Sequence, residues 1–182
     1  LQKANSLVSK GFASYAQSFR VSNTTKFLIQ KFDYLENGQE EDFSVSIAGR
    51  VLAKRVMGKI AFFTISDQEG QIQLYLDKRI INFNLEKQKL LSFEDLKEIV
   101  DIGDWIGVYG TIKKTNKGEL SIKVEKWEML SKSLQPLPDK WHGLTDIEKR
   151  YRQRYLDLIV NPHSKNVFKT RAKCISFIRK WL

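Results

Sequence analysis

The chain has 182 residues, 42% of them hydrophobic and 29% charged, a balance that suits a globular protein and excludes a disordered tract. One cysteine (Cys174), two histidines and no long uncharged apolar run exclude an internal disulfide, a zinc-finger spacing and a membrane-spanning helix. The formal net charge of +10 is uneven, with 11 Lys/Arg against 3 Asp/Glu in residues 140–182 (net +8) and only +2 in the rest, so a phosphate partner is suggested but not established.

The chain begins at Leu1 rather than Met and stops at Leu182 inside a helical pattern, which predicts a fragment clipped at both ends. "LQKANSLVSKGF" predicts a short helix with Leu1, Ala4 or Asn5, and Val8 as its apolar stripe and Gly11 as its stop. "NTTKFLIQKFDYL" predicts a second helix capped by Thr24 or Thr25. "ENGQEED" carries Asn-Gly turn chemistry and separates this extension from the strand-rich region.

Three strand signals then come in quick succession. "FSVSIAGRVLAKR" alternates, "KIAFFTISD" is a second run, "EGQ" a tight turn, and "QIQLYL" a third run. "LLSFEDLKEIV" changes period to that of a helix, with Ser92 and Asp95 spaced as a capping box. "DWIGVYGTI" returns to strand, "KKTNKGE" is a basic hairpin loop with Gly118, and "LSIKVEKWEML" is the last strand. Three strands, a helix, then two strands is the order of an OB-fold, a mainly β, five-stranded Greek-key barrel. An SH3-like barrel is the rival, but it rarely inserts a helix at that place. "SLQPLPDKWHG" reads as an extended linker. "TDIEKRYRQRYLDLIV" reads as a helix capped by Thr145 or Asp146, with Tyr151 and Tyr155 on one face. Asn161-Pro162 then opens a last helix whose stripe is Phe168, Ala172, Ile175, Ile178 and Leu182. The division predicted is a helical extension over 1–43, the barrel over 44–131, and a linker with helices over 132–182. Cys174 is expected to be a helix-face or core residue rather than a nucleophile.

Parity assigns the barrel's faces, because successive strand residues point to opposite sides. Ile72, Leu74 and Leu76 go inward, with Phe63, Ile65, Leu120, Ile122 and Val124. Phe62 then lies outside with Gln73, Tyr75, Ser121 and Glu119, edged by the cations Arg50, Arg55, Lys113, Lys114 and Lys117. Arg55 follows a bulge expected near Arg50–Lys54, so parity does not set its direction. An outward ring beside amides and a carboxylate suits the reading of unstacked bases: the ring stacks, the amide and carboxylate bond base edges, and the cations hold phosphate. The opposed reading is equally open on these grounds, with Phe62 covered by the N-terminal helix and Glu119 in a solvated hairpin. The barrel is nearly neutral, 14 Lys/Arg against 12 Asp/Glu over residues 44–130, which fits a selective reader better than an indiscriminate one.

"AGRVLAKRVMGKIAFFTISDQEGQIQLYL", "DIGDWIGVYGTIKKTNKGELSI" and "PLPDKWHGLTDIEKRYRQRYLDLI" resemble the N-terminal half of bacterial-type class II lysyl-tRNA synthetases. The barrel stretch alone also suits aspartyl- or asparaginyl-tRNA synthetases, whereas Pro136 to Ile159 points to the lysine family. A free-standing OB-fold module for single-stranded nucleic acid is the reading from another class. The resemblance implies that the barrel binds the uridine-rich anticodon of tRNA(Lys). Phe62 would stack on the middle base, Gln73 and Arg55 would bond bases of the triplet, and Glu119 would discriminate. Lys113, Lys114 and Lys117 would lie near phosphates. It further implies a cytoplasmic homodimer joined through the class II core. Its catalytic residues, and the ATP and Mg²⁺ with which the full-length ligase activates lysine, would belong beyond Leu182. The last helix would open the dimer-forming class II motif, and the Arg-rich stretch before it would make interdomain salt bridges.

Overall fold

The computed structural model describes residues 1–16, 18–85, 90–138 and 144–182. They form two compact units, Leu1–Leu134 and Gln135–Leu182.

In the first unit, α1 (Gln2–Ser9) and α2 (Thr25–Lys31) precede a closed five-stranded barrel. Its strands are β1 (Glu40–Met57), β2 (Ile60–Ser66), β3 (Gln71–Asp77), β4 (Trp105–Lys114) and β5 (Leu120–Ser131). The spatial order is β1-β2-β3-β5-β4, and the single parallel pairing, β3 with β5, closes the ring. This is the architecture expected from the order of elements. Two helices lie between β3 and β4: α3 (Lys78–Leu85) and α4 (Phe93–Ile99). The capping box is formed, with the Ser92 hydroxyl accepting from the Asp95 N–H and the Asp95 carboxylate accepting from the Ser92 N–H. Helix α3 was not foreseen. It starts directly at the end of β3, where the buried Asp77 carboxylate accepts from the Arg79 N–H at 2.8 Å. Of its apolar residues Ile81 is buried while Phe83 is exposed.

The inward faces supply one core. Val45, Ile47, Val51, Phe63, Ile65, Ile72, Leu74, Leu76, Ile106, Val108, Ile112, Ile122, Val124 and Trp127 are all buried, joined by Leu28 and Phe32 from the α2 region and Phe93 and Leu96 of α4. Leu120 is only partly buried and packs against this core. A bulge between Val51 and Ala53 shifts the β1–β2 register, inside the span where one was expected. Another falls at Tyr109/Gly110, where a Cβ on Gly110 would stand 2.0 Å from the Lys123 carbonyl oxygen, so only glycine admits the approach of β5. In α1, Gly11 (φ +79°) follows the helix as expected, but the stripe does not: Ala4 and Leu7 are buried while Leu1 and Val8 are exposed. At eight residues the helix is too short for period alone to fix its face.

In the second unit, α5 (Ile147–Arg152), α6 (Arg154–Val160) and α7 (Pro162–Trp181) follow one another. Asp146 caps α5 by accepting from the Lys149 N–H at 3.1 Å. The single helix expected over this stretch is broken at Gln153 (φ −121°, ψ 56°), so Tyr151 and Tyr155 do not share a helix face, and both are exposed. Asn161 stands at the start of α7 as expected, but its amide donates to Leu144 O and to Asp157 instead of capping. Among the described residues the ion pairs of the Arg-rich stretch are internal: Arg150 and Arg154 both hold Asp157, and Arg152 pairs with Glu148. The α7 stripe of Phe168, Ile175, Ile178 and Leu182 is exposed, as is Cys174. The part of the expected linker over 139–143 lies outside the described residues.

Asp157 gathers this unit. Its carboxylate is fully buried and accepts from Asn161 Nδ2 (2.7 Å), Arg150 Nε (2.8 Å) and the Arg154 guanidinium. The Asn161 hydrogen bond, then those of the two arginines, hold its pKa down from 3.8 to about 2. A carboxyl with a depressed folded-state pKa adds stability that is full above 3.8 and disappears as pH falls through 2. In a carboxyl-detected NMR titration, Asp157 is expected to protonate near pH 2. An Asp157→Asn chain should lose the part of the acid dependence of helix content that falls in this window. A normal carboxylate midpoint for Asp157 contradicts the expectation.

Candidate nucleic-acid interface

The outer face of β1, β2 and β3 and the β4–β5 hairpin together form a groove of about 600 Å³. It is lined by Arg55, Phe62, Gln73, Tyr75, Lys113, Lys117 and Glu119, with Ala53, Lys54, Met57, Thr64, Thr115 and Asn116. Among the described residues of 1–43 none lines the groove itself, although Glu40 reaches its edge by pairing with Lys113. The ladder explains the gathering. Arg55 pairs with Phe62 across β1–β2, Phe62 with Tyr75 and Thr64 with Gln73 across β2–β3, and Gln73 with Ser121 across β3–β5. The bulge at Val51/Ala53 is what swings Arg55 outward onto Phe62's side while Lys54 comes opposite Phe63. Lys54 Nζ then donates to the carbonyls of Lys97 (2.7 Å) and Val100 (2.6 Å), closing the C-terminal end of α4, and burial holds its pKa below the usual lysine range.

Within the groove, Phe62 is half-buried and meets Tyr75 edge-on, with centroids 5.6 Å apart at 65°. Its neighbour Phe63 is fully buried, as parity required. Lys113 Nζ lies 4.8 Å from the Tyr75 ring centre and donates to Glu40 at 2.7 Å. Glu40 also accepts from Lys123 at 2.5 Å, and these two ammonium groups, Lys113 first, hold its carboxyl below the usual range. Arg55, Lys117 and Glu119 are exposed. Ser121, placed by parity on the outer face, is nonetheless fully buried, and its hydroxyl lies 2.9 Å from Gln73 Oε1. Among the described residues no group of three His, Cys, Asp or Glu side chains converges as a cation site.

Two of the expected edge cations lie elsewhere. Lys114, one residue out of phase with Lys113, donates to the carbonyls of Leu35 (2.8 Å) and Asp33 (3.4 Å) and holds the turn after α2. Arg50 donates to the Gly103 carbonyl at 2.8 Å and lies 5.4 Å from the Trp105 ring centre. Glu40 was not foreseen as part of the face. The register shift between Glu41 and Val45 separates it from the alternating run that parity used, although its place opposite Lys113 in the β1–β4 ladder fixes it there.

A half-buried ring with an amide, a carboxylate and cations around it can stack on one base, bond its edge and hold its phosphate. Residues 45–130 match the tRNA anti-codon family, the OB-fold nucleic acid binding domain. The matched stretch is the barrel, which is similar to this OB-fold domain. The whole chain also aligns with lysine–tRNA ligases, as their N-terminal region. It is 95% identical over all 182 residues to that of Prochlorococcus marinus (strain MIT 9215), covering 36% of the relative's length. It is 80% identical to that of Prochlorococcus marinus (strain MIT 9515), covering 36%, and 53% identical to that of Synechococcus sp. (strain RCC307), covering 35%. The chain thus spans about a third of the relatives it matches. The OB-fold domain of the family model begins at Val45, the first buried residue of β1, and ends at Leu130, one residue before β5 ends.

Proposed function

We propose that this chain is the anticodon-reading part of a cytoplasmic lysine–tRNA ligase, and that its groove takes the uridine-rich anticodon of tRNA(Lys). The observation that carries the reading is the gathering of Arg55, Phe62, Gln73, Lys113, Lys117 and Glu119 around one groove of an anticodon-type OB-fold. Phe62 stacks on the middle base. Gln73 and Arg55 bond base edges of the triplet, and Glu119 accepts from a base N–H and rejects edges that present only acceptors. Lys113 and Lys117 hold phosphates, while Lys114 supports the wall through α2. The full-length ligase would activate lysine with ATP and Mg²⁺ and esterify the tRNA, and it would pair as a homodimer, to which the exposed stripe of α7 is suited. The described residues bring no cation-binding cluster together, so no step of that chemistry is assigned to them.

Binding of anticodon stem-loops with one base changed at a time tests the reading. Gln73→Ala or Glu119→Ala should narrow the affinity gap between a uridine-rich and a base-substituted anticodon, because an amide and a carboxylate are directional partners. Lys117→Ala should weaken both loops alike and flatten the log–log salt dependence by up to about one unit, because an ammonium reads phosphate and not sequence. If Lys117→Ala altered base preference while the other two altered only overall affinity, the roles would be misassigned. If no loop bound better than an unrelated hairpin, the reading itself would fall.

A further inference from the structure

Asn37-Gly38 is the only Asn-Gly pair in the chain. It forms the tip of the turn from Glu36 to Gln39, which the Gln39 N–H closes by donating to the Glu36 carbonyl at 3.1 Å. Gly38 takes φ +86°, the conformation a type II turn demands of its third residue, and a Cβ there would stand 2.9 Å from Asn116 Oδ1. Glycine is therefore fixed at this position, and its nitrogen has no neighbouring side chain to shield it from the residue before. Both residues are exposed, and among the described residues the Asn37 carboxamide has no hydrogen-bond partner.

The turn clasps the β4–β5 hairpin. The Gly38 N–H donates to the Lys114 carbonyl at 3.0 Å, the Lys114 N–H donates to the Gln39 carbonyl at 2.8 Å, and the Lys114 ammonium donates to the Leu35 carbonyl at 2.8 Å. Asn37 lies against the tip of the hairpin, where a Cβ on Gly118 would stand 3.3 Å from its Oδ1. Gly118 stands between Lys117 and Glu119, which both line the groove.

We propose that Asn37 is a self-modification site, at which deamidation through a cyclic imide places a carboxylate against the hairpin tip and weakens the hold of the groove on a polyanion. The Gly38 nitrogen, having lost its proton to hydroxide, attacks Asn37 Cγ. The bond from Cγ to Nδ2 breaks, and the side-chain nitrogen leaves as ammonia with a proton taken from water. A second water then opens the ring at one of its two carbonyls. One opening gives aspartate; the other gives isoaspartate, in which the chain runs on through Cβ. Nothing is oxidised or reduced. The Gly38 nitrogen can lose its proton and turn onto Cγ only while its bond to Lys114 is open, so the clasp sets the rate. The modification stands apart from the proposed reading of the groove, and only its effect on binding rests on that reading.

The test keeps the whole chain in mildly alkaline buffer and follows the tryptic peptide 32–50, whose single asparagine is Asn37, by mass spectrometry. The peptide should gain one mass unit and become a substrate for an isoaspartate-specific methyltransferase. Within the folded chain the conversion should run roughly three- to tenfold slower than in the same peptide free in solution, the protection that one net hydrogen bond gives. Lys114→Ala, with the barrel still folded by circular dichroism, should lose part of that protection. Asn37→Asp should bind anticodon stem-loops roughly two- to fivefold more weakly than the parent, the scale of one exposed charge pair. Asn37 persisting through many half-times of the free peptide, a rate that Lys114→Ala leaves unchanged, or equal affinities of Asn37→Asp and the parent would each overturn the proposal. If no stem-loop bound the parent chain, the proposed function would fail, and the mass change would still decide the modification.

Discussion

Replacing Phe63 by Ala will destabilise the barrel by about 3–5 kcal/mol, as expected for a large aromatic removed from a filled core. Phe62→Ala, one residue away, will leave the melting temperature nearly unchanged and weaken anticodon stem-loop binding by about 1–3 kcal/mol. Phe63 is 0% exposed and belongs to the same buried core as Val51, Ile65 and Leu74, so removing its ring leaves a void that the core can close only in part. Phe62 touches Tyr75 edge-on and otherwise lines the groove, so its removal uncovers the groove floor and creates no cavity. Denaturant midpoints and titrations on both variants separate the two effects. A stability loss for Phe62→Ala with unaltered binding reverses the assignment of faces.

The second large effect is expected where the barrel holds its buried charges. Lys132 Nζ, 4% exposed, donates to Asp104 (2.6 Å), to Asp101 (2.7 Å) and to the Ile99 carbonyl (2.7 Å). Asp104 is 0% exposed and also accepts from the backbone N–H groups of Asp101 and Ser133, each at 2.7 Å. The cluster thus ties the segment after α4 to the end of β5. Removing one partner of such a pair leaves the other buried and uncompensated, which typically costs about 3–5 kcal/mol. Asp104→Ala should reach that range in urea denaturation. Asp101→Ala should cost much less, because its side chain is 45% exposed and water can replace it. Equal losses for the two acids would mean that burial does not decide their worth here.

The barrel was legible because its strands carry a strict two-residue period and its helix a capping box, both local signals that the tertiary structure had no reason to override. Phe62, Gln73 and Glu119 were placed by the same period. Where the period was interrupted, reading failed or stopped: Arg55 lies past a bulge, and Glu40 precedes another. Lys114 was counted with Lys113 by proximity in sequence, although alternation sends the two apart and the carbonyls of Leu35 and Asp33 give Lys114 its partners. Those carbonyls belong to a turn that sequence alone does not place against β4. Helix α3 was missed because it starts directly at the end of β3 with no intervening loop to mark the change, and the break at Gln153 because the residue has ordinary helix propensity and nothing local announces it.

Glu40 gives the groove an anion of its own. Any polyanion that approaches Lys113 meets an ammonium already held at 2.7 Å by a carboxylate that Lys123 grips from the other side. This resident competitor is tethered, so its local concentration is fixed by the fold and does not fall when the surrounding buffer is diluted. A random stretch of phosphates, offering only charge, must displace it with nothing gained in return. A strand whose bases also find partners in the groove can displace it and still come out ahead. On the proposed reading of the groove, the carboxylate would thereby turn an attraction common to all nucleic acids into one conditional on the bases, without touching a base.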